Sequence, residues 1–137
     1  MGVKHALSDY AASNTEGIGA VRRYRPCRMA EITDGTSYTL LVGDKRLNRT
    51  QLGKWQEDDN EGYTAGWDED TIRSAVLPPT RDFVGSGDGG DMFGSSHPGG
   101  INAVFVDGSV RDIPYAIDLA IFRCLGNIAD GQNIGEF

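Results

Sequence analysis

The sequence predicts a single small α+β domain with an antiparallel sheet, a C-terminal helix and long surface loops. Its 137 residues fit one domain spanning 1–137. The 19 glycines indicate many turns and positive-φ positions. Two strand-like runs near residue 107 are followed by one helical pattern. With 39% hydrophobic and 24% charged residues, the composition is typical of a folded protein.

The first half of the chain carries weak signals of secondary structure. Residues 9–20 have no sustained period and are expected to be irregular. The stretch from Pro26 to Ile32 has room for one or two helical turns, because proline suits a first helical position. The run Tyr38 to Val42 lies between glycines and predicts a buried strand. Residues 48–70 predict a long loop or an irregular hairpin, and residues 85–100 predict a second irregular connection.

The clearest local signal is a β-hairpin. Residues 101–106 and 109–113 are strand-like runs separated by Asp107-Gly108, a pair that favours a two-residue type I′ turn. Such a turn pairs Phe105 with Val110 and places residues 101, 103 and 105 on one face. Both faces of the hairpin are partly apolar, so we expect it to lie inside the fold.

A helix is predicted after the hairpin, from Tyr115 to Leu125. Pro114 would start it and Gly126 would end it. Its apolar stripe includes Cys124, which is therefore expected to point inward.

The charge of the chain excludes one class of partner. A net charge of −7 makes nucleic acid a poor ligand, since phosphate recognition needs clustered cations. The one basic cluster is either an ion-pairing face or a partner site; it contains Arg22, Arg23, Arg25 and Arg28.

No run approaches the roughly 18 apolar residues of a membrane span. The first four residues, MGVK, are neither a signal peptide nor an anchor. Two alternatives are left: a cytoplasmic protein, or an exported protein without its leader and anchor.

The two cysteines, Cys27 and Cys124, belong to no metal-binding motif. Two interpretations stay open: one long-loop disulfide in an oxidising compartment, or two small buried side chains.

Residue types of a hydrolase triad occur together at Ser95, Ser96, His97 and Asp107. No G-x-S-x-G elbow accompanies them, and Asp107 is expected to bond the backbone of the hairpin turn. The sequence therefore predicts that the protein is not an enzyme. A secreted hydrolase centred on His97 is the less favoured alternative, and it requires a pocket holding His97 beside a free serine.

The acidic loop, which begins after Trp55 and extends past Trp67, partly fits a calcium-binding template, because calcium prefers oxygen ligands. It lacks flanking helices, so an EF-hand is not expected. A looser Ca²⁺ site is one hypothesis, and a solvated acidic loop is the other. The candidate ligands are Asp58, Asp59, Asn60, Glu61, Asp68 and Asp70.

The segment FGSSHPGGINAVFVDGSVRDI resembles the signature of prepilin-like proteins abundant in planctomycetes and related bacteria. That signature is a His, nine residues and Asp-Gly, which correspond to His97, Asp107 and Gly108. The stretches DYAASN, EITDGTSYTLLVGD and LGNIADGQNI agree in the same order. Tyr38 and Asp44 depart from the pattern, which usually has Asn and Glu there.

The resemblance implies an exported protein with a pseudopilin-like head, displayed at the cell surface or outside the cell. Its partners would be other protein subunits, and this chain itself would not contact the membrane. A leader and an anchoring helix are expected in an N-terminal part outside this chain. A competing hypothesis is a calcium-dependent adhesion or glycan-binding module that uses exposed Trp55, Tyr63 and Trp67.

Overall fold

Seven short strands and one helix make up the regular structure of the chain, described by a computed structural model over residues 5–132, 134, 135 and 137. Three single 3-10 turns lie at Met29–Glu31, Thr36–Tyr38 and Gly62–Thr64. In chain order the strands are β1 (Tyr10–Ser13), β2 (Leu40–Asp44), β3 (Ile72–Arg73), β4 (Thr80–Arg81), β5 (Gly94–Ser95), β6 (Gly100–Phe105) and β7 (Val110–Pro114), followed by the helix α1 (Leu119–Leu125).

The main sheet has five strands in the order β3-β1-β2-β6-β7. The pairs β1/β2, β2/β6 and β6/β7 are antiparallel, whereas the edge strand β3 runs parallel to β1. Strands β4 and β5 form a separate parallel pair. The α+β class with long loops and a C-terminal helix is confirmed. The parallel edge was not predicted, because a two-residue strand carries no periodic pattern.

The hairpin forms where it was predicted, but its register differs by one residue. Val104 pairs with Val110, and the Gly108 amide donates to the Phe105 carbonyl at 2.9 Å. Only Gly108 has a positive φ, +83°, while Asp107 does not. The connection is therefore a three-residue loop, and the predicted type I′ turn is wrong. The shift turns Val110 outward, where it is 67% exposed.

The helix is shorter than predicted because Asp118 caps it. The Asp118 carboxylate accepts hydrogen bonds from the amides of Ala120, at 2.7 Å, and Ile121, at 3.4 Å. Pro114 does not start the helix but ends β7, opposite Gly100. Within the described residues, no helix has both the length and the apolar character that a membrane crossing requires.

The core lies between the sheet and α1. Alternate residues of β6 point into it, so that Ile101, Ala103 and Phe105 are buried. Phe93, from the glycine-rich connection, meets Phe122 of α1 edge to face, with ring centroids 6.1 Å apart. Each such fully buried ring stabilises the fold by about 1.5–3 kcal/mol.

The weak predictions for the first half are only partly confirmed, and the expectation that residues 9–20 are irregular is wrong because they contain β1. The predicted helical turns reduce to the single 3-10 turn at Met29–Glu31. The predicted strand 38–42 starts later, at Leu40, and continues to Asp44. Leu40 is fully buried, whereas Leu41 and Val42 are half-buried.

Candidate functional site

The acidic loop, residues 57–70, is held in place by a buried lysine. Lys45, which follows β2 directly, is 2% exposed and its Nζ lies 2.8 Å from Asp59 Oδ1. The same ammonium group donates to the carbonyl oxygens of Asp58, at 3.1 Å, and Asp70, at 3.0 Å. One cation therefore ties both ends of the acidic loop to the end of β2, the central strand of the main sheet.

A buried arginine provides the second anchor. Arg73 of β3 lies with Nη2 2.7 Å from Asp58 Oδ2, and neither side chain has exposed surface. Arg73 also donates to the carbonyl oxygens of Met92 and Glu69. The amide of Gly89 donates to Asp58 Oδ2 at 3.0 Å, so this carboxylate links the acidic loop to the glycine-rich connection.

Asp70 organises the backbone of the loop. Its carboxylate accepts hydrogen bonds from the successive amides of Asn60, Glu61 and Gly62. Gly62 has φ +55°, and a β-carbon there would collide with the carbonyl of Ala6. The loop therefore has a defined conformation despite its lack of regular structure.

These contacts change the interpretation of the predicted Ca²⁺ ligands. Asp58 and Asp59 are engaged by Arg73 and Lys45, and the Asp70 carboxylate accepts from loop amides. The other three predicted ligands, Asn60, Glu61 and Asp68, are half-buried or exposed. Across the part of the chain that the structure describes, no group of three or more His, Cys, Asp or Glu residues is arranged to hold a metal ion. Asp58 and Asp59 therefore serve as ion-pair partners, and Asp70 serves as an acceptor for loop amides.

An open cleft of about 700 Å³ lies beside the acidic loop and is called here the acidic cleft. Trp55 in its wall is 72% exposed, and Trp67 is half-buried. The Ser74 hydroxyl, also in the wall, has almost no accessible surface and no hydrogen-bond partner among the described residues. The cleft is lined by Asn14, Glu16, Trp55, Glu57, Asn60, Glu61, Trp67, Asp68, Glu69, Ile72, Arg73, Ser74, Val76 and Asp91.

The acidic cleft carries uncompensated negative charge. Its one cation, Arg73, is already paired with Asp58. Burial, together with the nearby Asp91 and Asp88, raises the pKa of Glu69. Within the described residues, none of the cleft's six carboxylates makes an ion pair; they belong to Glu16, Glu57, Glu61, Asp68, Glu69 and Asp91.

The basic cluster forms an exposed strip, residues 22–29, called here the basic segment. Glu31 pairs with Arg25 at 2.7 Å and with Arg22 at 3.6 Å. Arg23 and Arg28 make no ion pair within the described ranges. Tyr24 is 85% exposed, with the Arg23 guanidinium 5.1 Å from its ring centroid. The cluster is therefore only partly neutralised by its own chain.

Asp107 and Gly108 shape the hairpin loop. Asp107 Oδ1 accepts from the hydroxyl of Ser109 at 2.6 Å and from its amide at 2.9 Å. These hydrogen bonds hold the pKa of the Asp107 carboxyl below its usual value. Gly108 supplies the left-handed position that the loop requires.

His97 lies beside β6 rather than beside Asp107's turn. Its Nε2 is 3.0 Å from the side-chain amide nitrogen of Asn102 and 3.7 Å from Asp44 Oδ2. Asp44 Oδ2 in turn accepts from the backbone amide of Asn102 at 2.8 Å. Burial raises the pKa of Asp44, against the opposing effects of the Asn102 amide and His97.

The serines near His97 are both engaged. Ser95 Oγ donates to the Gly100 carbonyl at 2.8 Å, accepts from the His97 amide at 3.0 Å and lies 2.8 Å from the Tyr115 hydroxyl. Ser96 donates to Asp82 at 2.7 Å. His97 and both serines line a cavity of about 360 Å³, but no hydrogen bond joins a serine hydroxyl to the His97 ring in the described structure.

The cysteines do not form the disulfide that was one of the two alternatives. Cys27 and Cys124 are free thiols, and each is half-buried rather than buried. Burial raises the pKa of the Cys124 thiol, which keeps it protonated at neutral pH.

Residues 2–120 match a protein family described as Protein of unknown function (DUF1559). The chain belongs to the DUF1559 family. No curated protein and no solved structure shows significant similarity to it. The site geometry of this DUF1559 member is therefore known from the structure of this chain and not from a solved relative.

Several organising residues were missed by the sequence analysis. Lys45 and Arg73 have ordinary sequence surroundings, and nothing local distinguishes a buried cation from an exposed one. Tyr115, assigned to the helix, instead bonds the carbonyl oxygens of Ser95 and His97. The excess of acidic residues in one loop did not indicate the buried cations, because such an excess is equally typical of a solvated loop.

Proposed function

We propose that this DUF1559 member is a non-enzymatic structural subunit, exported and displayed at the cell surface, that acts through assembly with other protein subunits. The observation that carries the proposal is that the motif residues have structural roles. Asp107 and Gly108 build the hairpin loop, and His97 bonds Asn102 at the start of β6. Asp107, engaged by its own turn, is therefore not placed to assist His97 in proton transfer.

The state of the serines favours the same conclusion. A serine nucleophile needs a base within hydrogen-bond reach of its hydroxyl. His97, the base of the hydrolase hypothesis, bonds neither hydroxyl, since Ser95 donates to a backbone carbonyl and Ser96 donates to Asp82. The resemblance to prepilin-like proteins supplies the export and assembly parts of the proposal.

The test uses the full-length gene product, tagged at its C terminus, in its native host. Treatment of intact cells with an impermeable protease should remove the tag, and amine cross-linking should give a ladder of higher-mass species that contain it. A protected tag in a soluble monomer would contradict both export and assembly. A matched untagged strain controls for nonspecific bands.

A second candidate function is an extracellular binding module. It is favoured by Trp55, which is 72% exposed in the wall of the acidic cleft. Exposed tryptophan faces bind sugar rings and cations. Quenching of Trp55 fluorescence by oligosaccharides, and its loss in Trp55→Ala, would support this function.

A further inference from the structure

We propose that the acidic cleft of one copy receives the basic segment of a second copy, so that chains associate head to tail. This inference rests on the proposed function and names the two surfaces through which assembly would occur. Both surfaces are described on a single chain, and they carry opposite charge.

The acidic cleft is suited to a cationic, partly aromatic occupant. Its six carboxylates lack ion-pair partners within the described residues, and crowding by Asp91 and Asp88 contributes to the raised pKa of Glu69. An incoming guanidinium would relieve that repulsion. Trp55 and Trp67 offer faces on which a planar guanidinium stacks.

The basic segment has the matching features. Arg23 and Arg28 have no ion pair in the described part of the chain, and Tyr24 is 85% exposed. Four arginines against one glutamate leave a local excess of positive charge on a chain whose net charge is −7. Met29, 63% exposed, adds apolar surface next to these cations.

The contact must be made between copies, because one chain does not make it internally. The described ion pairs of the basic segment lead to Glu31, which does not line the acidic cleft. Two different patches that complement each other give a heterologous interface, and such interfaces propagate unless a ring closes. The proposed contact would therefore add subunits in one direction.

Charge pairs at the rim of an interface respond strongly to salt, since the screening length is about 8 Å at physiological ionic strength. We expect the association constant, from sedimentation equilibrium of the 137-residue chain, to fall at least about tenfold between about 50 and 500 mM NaCl. Salt-independent association would overturn the proposal.

Two double variants test the surfaces separately. The first, Arg23→Glu with Arg28→Glu, reverses two charges of the basic segment and leaves the acidic cleft intact. The second, Glu57→Lys with Glu61→Lys, reverses two charges of the acidic cleft and leaves the basic segment intact. Each alone should associate at least about tenfold more weakly than the wild type. An equimolar mixture should form a one-to-one heterodimer, because one intact segment still meets one intact cleft. A mixture that stays monomeric would overturn the proposal.

The control matched to the first double variant is Arg49→Glu with Lys54→Glu, which makes the same charge change at exposed residues outside both surfaces. It should associate as the wild type does. Melting curves of all variants establish that each is folded. Equal weakening by the control would show a general charge effect and would contradict the specific docking.

A peptide copying residues 21–30 with Cys27→Ser provides an independent probe. It should change the fluorescence of the cleft tryptophans in the wild type and have at least about tenfold lower affinity for Glu57→Lys with Glu61→Lys. Quenching by oligosaccharide but not by this peptide would overturn the proposal in favour of glycan binding. Surface cross-linking of the full-length protein that survives both double variants would overturn the docking while leaving the proposed function intact.

Discussion

Arg73 Nη2 lies 2.7 Å from Asp58 Oδ2 in an ion pair that has no solvent-exposed surface on either side chain. The pair joins the edge strand β3 to the start of the acidic loop. Removing one member of such a pair leaves an unpaired buried charge, which is more costly than losing the attraction itself.

Arg73→Met should therefore lower the free energy of unfolding by about 3–5 kcal/mol. The control is Arg25→Met, since Arg25 is paired with Glu31 but has an exposed side chain; its loss should cost less than about 1 kcal/mol. Urea denaturation of both variants in dilute solution measures the difference. Equal effects would mean that the buried pair does not anchor the loop.

Gly108→Val should destabilise the hairpin because Gly108 has φ +83° and a β-branched residue is strained there. We expect a loss of about 1–3 kcal/mol. No atom lies near a β-carbon built at Gly108, so the effect would come from the backbone alone. Gly99→Val is the control, since Gly99 has equal space and no positive φ. Thermal melts in which both variants match the wild type would contradict this account of the loop.

Ser95→Ala should reduce stability by about 1–3 kcal/mol, because it leaves the Gly100 carbonyl and the His97 amide without their partner. Ser96→Ala, at an exposed site, should change it by less than about 0.5 kcal/mol. Melting curves measure both effects, and an esterase assay run in parallel should show no activity in the wild type or either variant. Hydrolysis by the wild type that either alanine abolishes would restore the hydrolase hypothesis.

Asp44→Asn should gain stability relative to the wild type as the pH rises. Burial raises the folded-state pKa of Asp44 above the unfolded value of about 3.9, so its stabilising contribution is complete below that value and is lost as pH rises through the folded pKa. The asparagine variant has no such loss, and its side-chain oxygen still accepts from the Asn102 amide. Chemical denaturation at about pH 3 and pH 7 measures the difference in the free energy of unfolding between the variant and the wild type at each pH. A difference that is the same at both values would refute the assignment.

Millimolar calcium should leave the melting temperature unchanged, because Lys45 and Arg73 already engage the carboxylates of Asp59 and Asp58. A chelator should likewise have no effect. An upward shift that saturates with calcium would show that the acidic loop exchanges its ion pairs for a metal ion, since ligand binding to the folded state raises stability.

The sequence predicted those parts of the fold that have local causes. The Asp-Gly pair located the hairpin, and the apolar pattern located the helix. The exact turn was missed because the same pair fits two loop lengths, and the start of α1 was missed because Pro114 suits either a strand end or a helix start. The parallel strand β3 and the buried cations depend on contacts between residues far apart in the chain. Arg73 and Asp58, for example, are fifteen positions apart and show no shared pattern.

The prediction of acidic ligands shows a different limitation. Composition correctly drew attention to the loop, but it did not distinguish carboxylates that face solvent from those that face a buried cation. Asp58 and Glu57 are neighbours, yet one is fully buried and the other lines the open cleft. Which of two adjacent acids turns inward depends on where Lys45 and Arg73 lie.

Lys45 contacts the backbone carbonyls of both Asp58 and Asp70, so one side chain fixes both ends of the loop segment 59–69, called here the tip. Substitutions of exposed tip residues such as Glu61 would change the wall of the cleft and leave the contacts of Lys45 in place. Such an arrangement would let the cleft vary while the scaffold stays the same. Related proteins built on it would acquire different clefts by exchanging only a few residues of the tip.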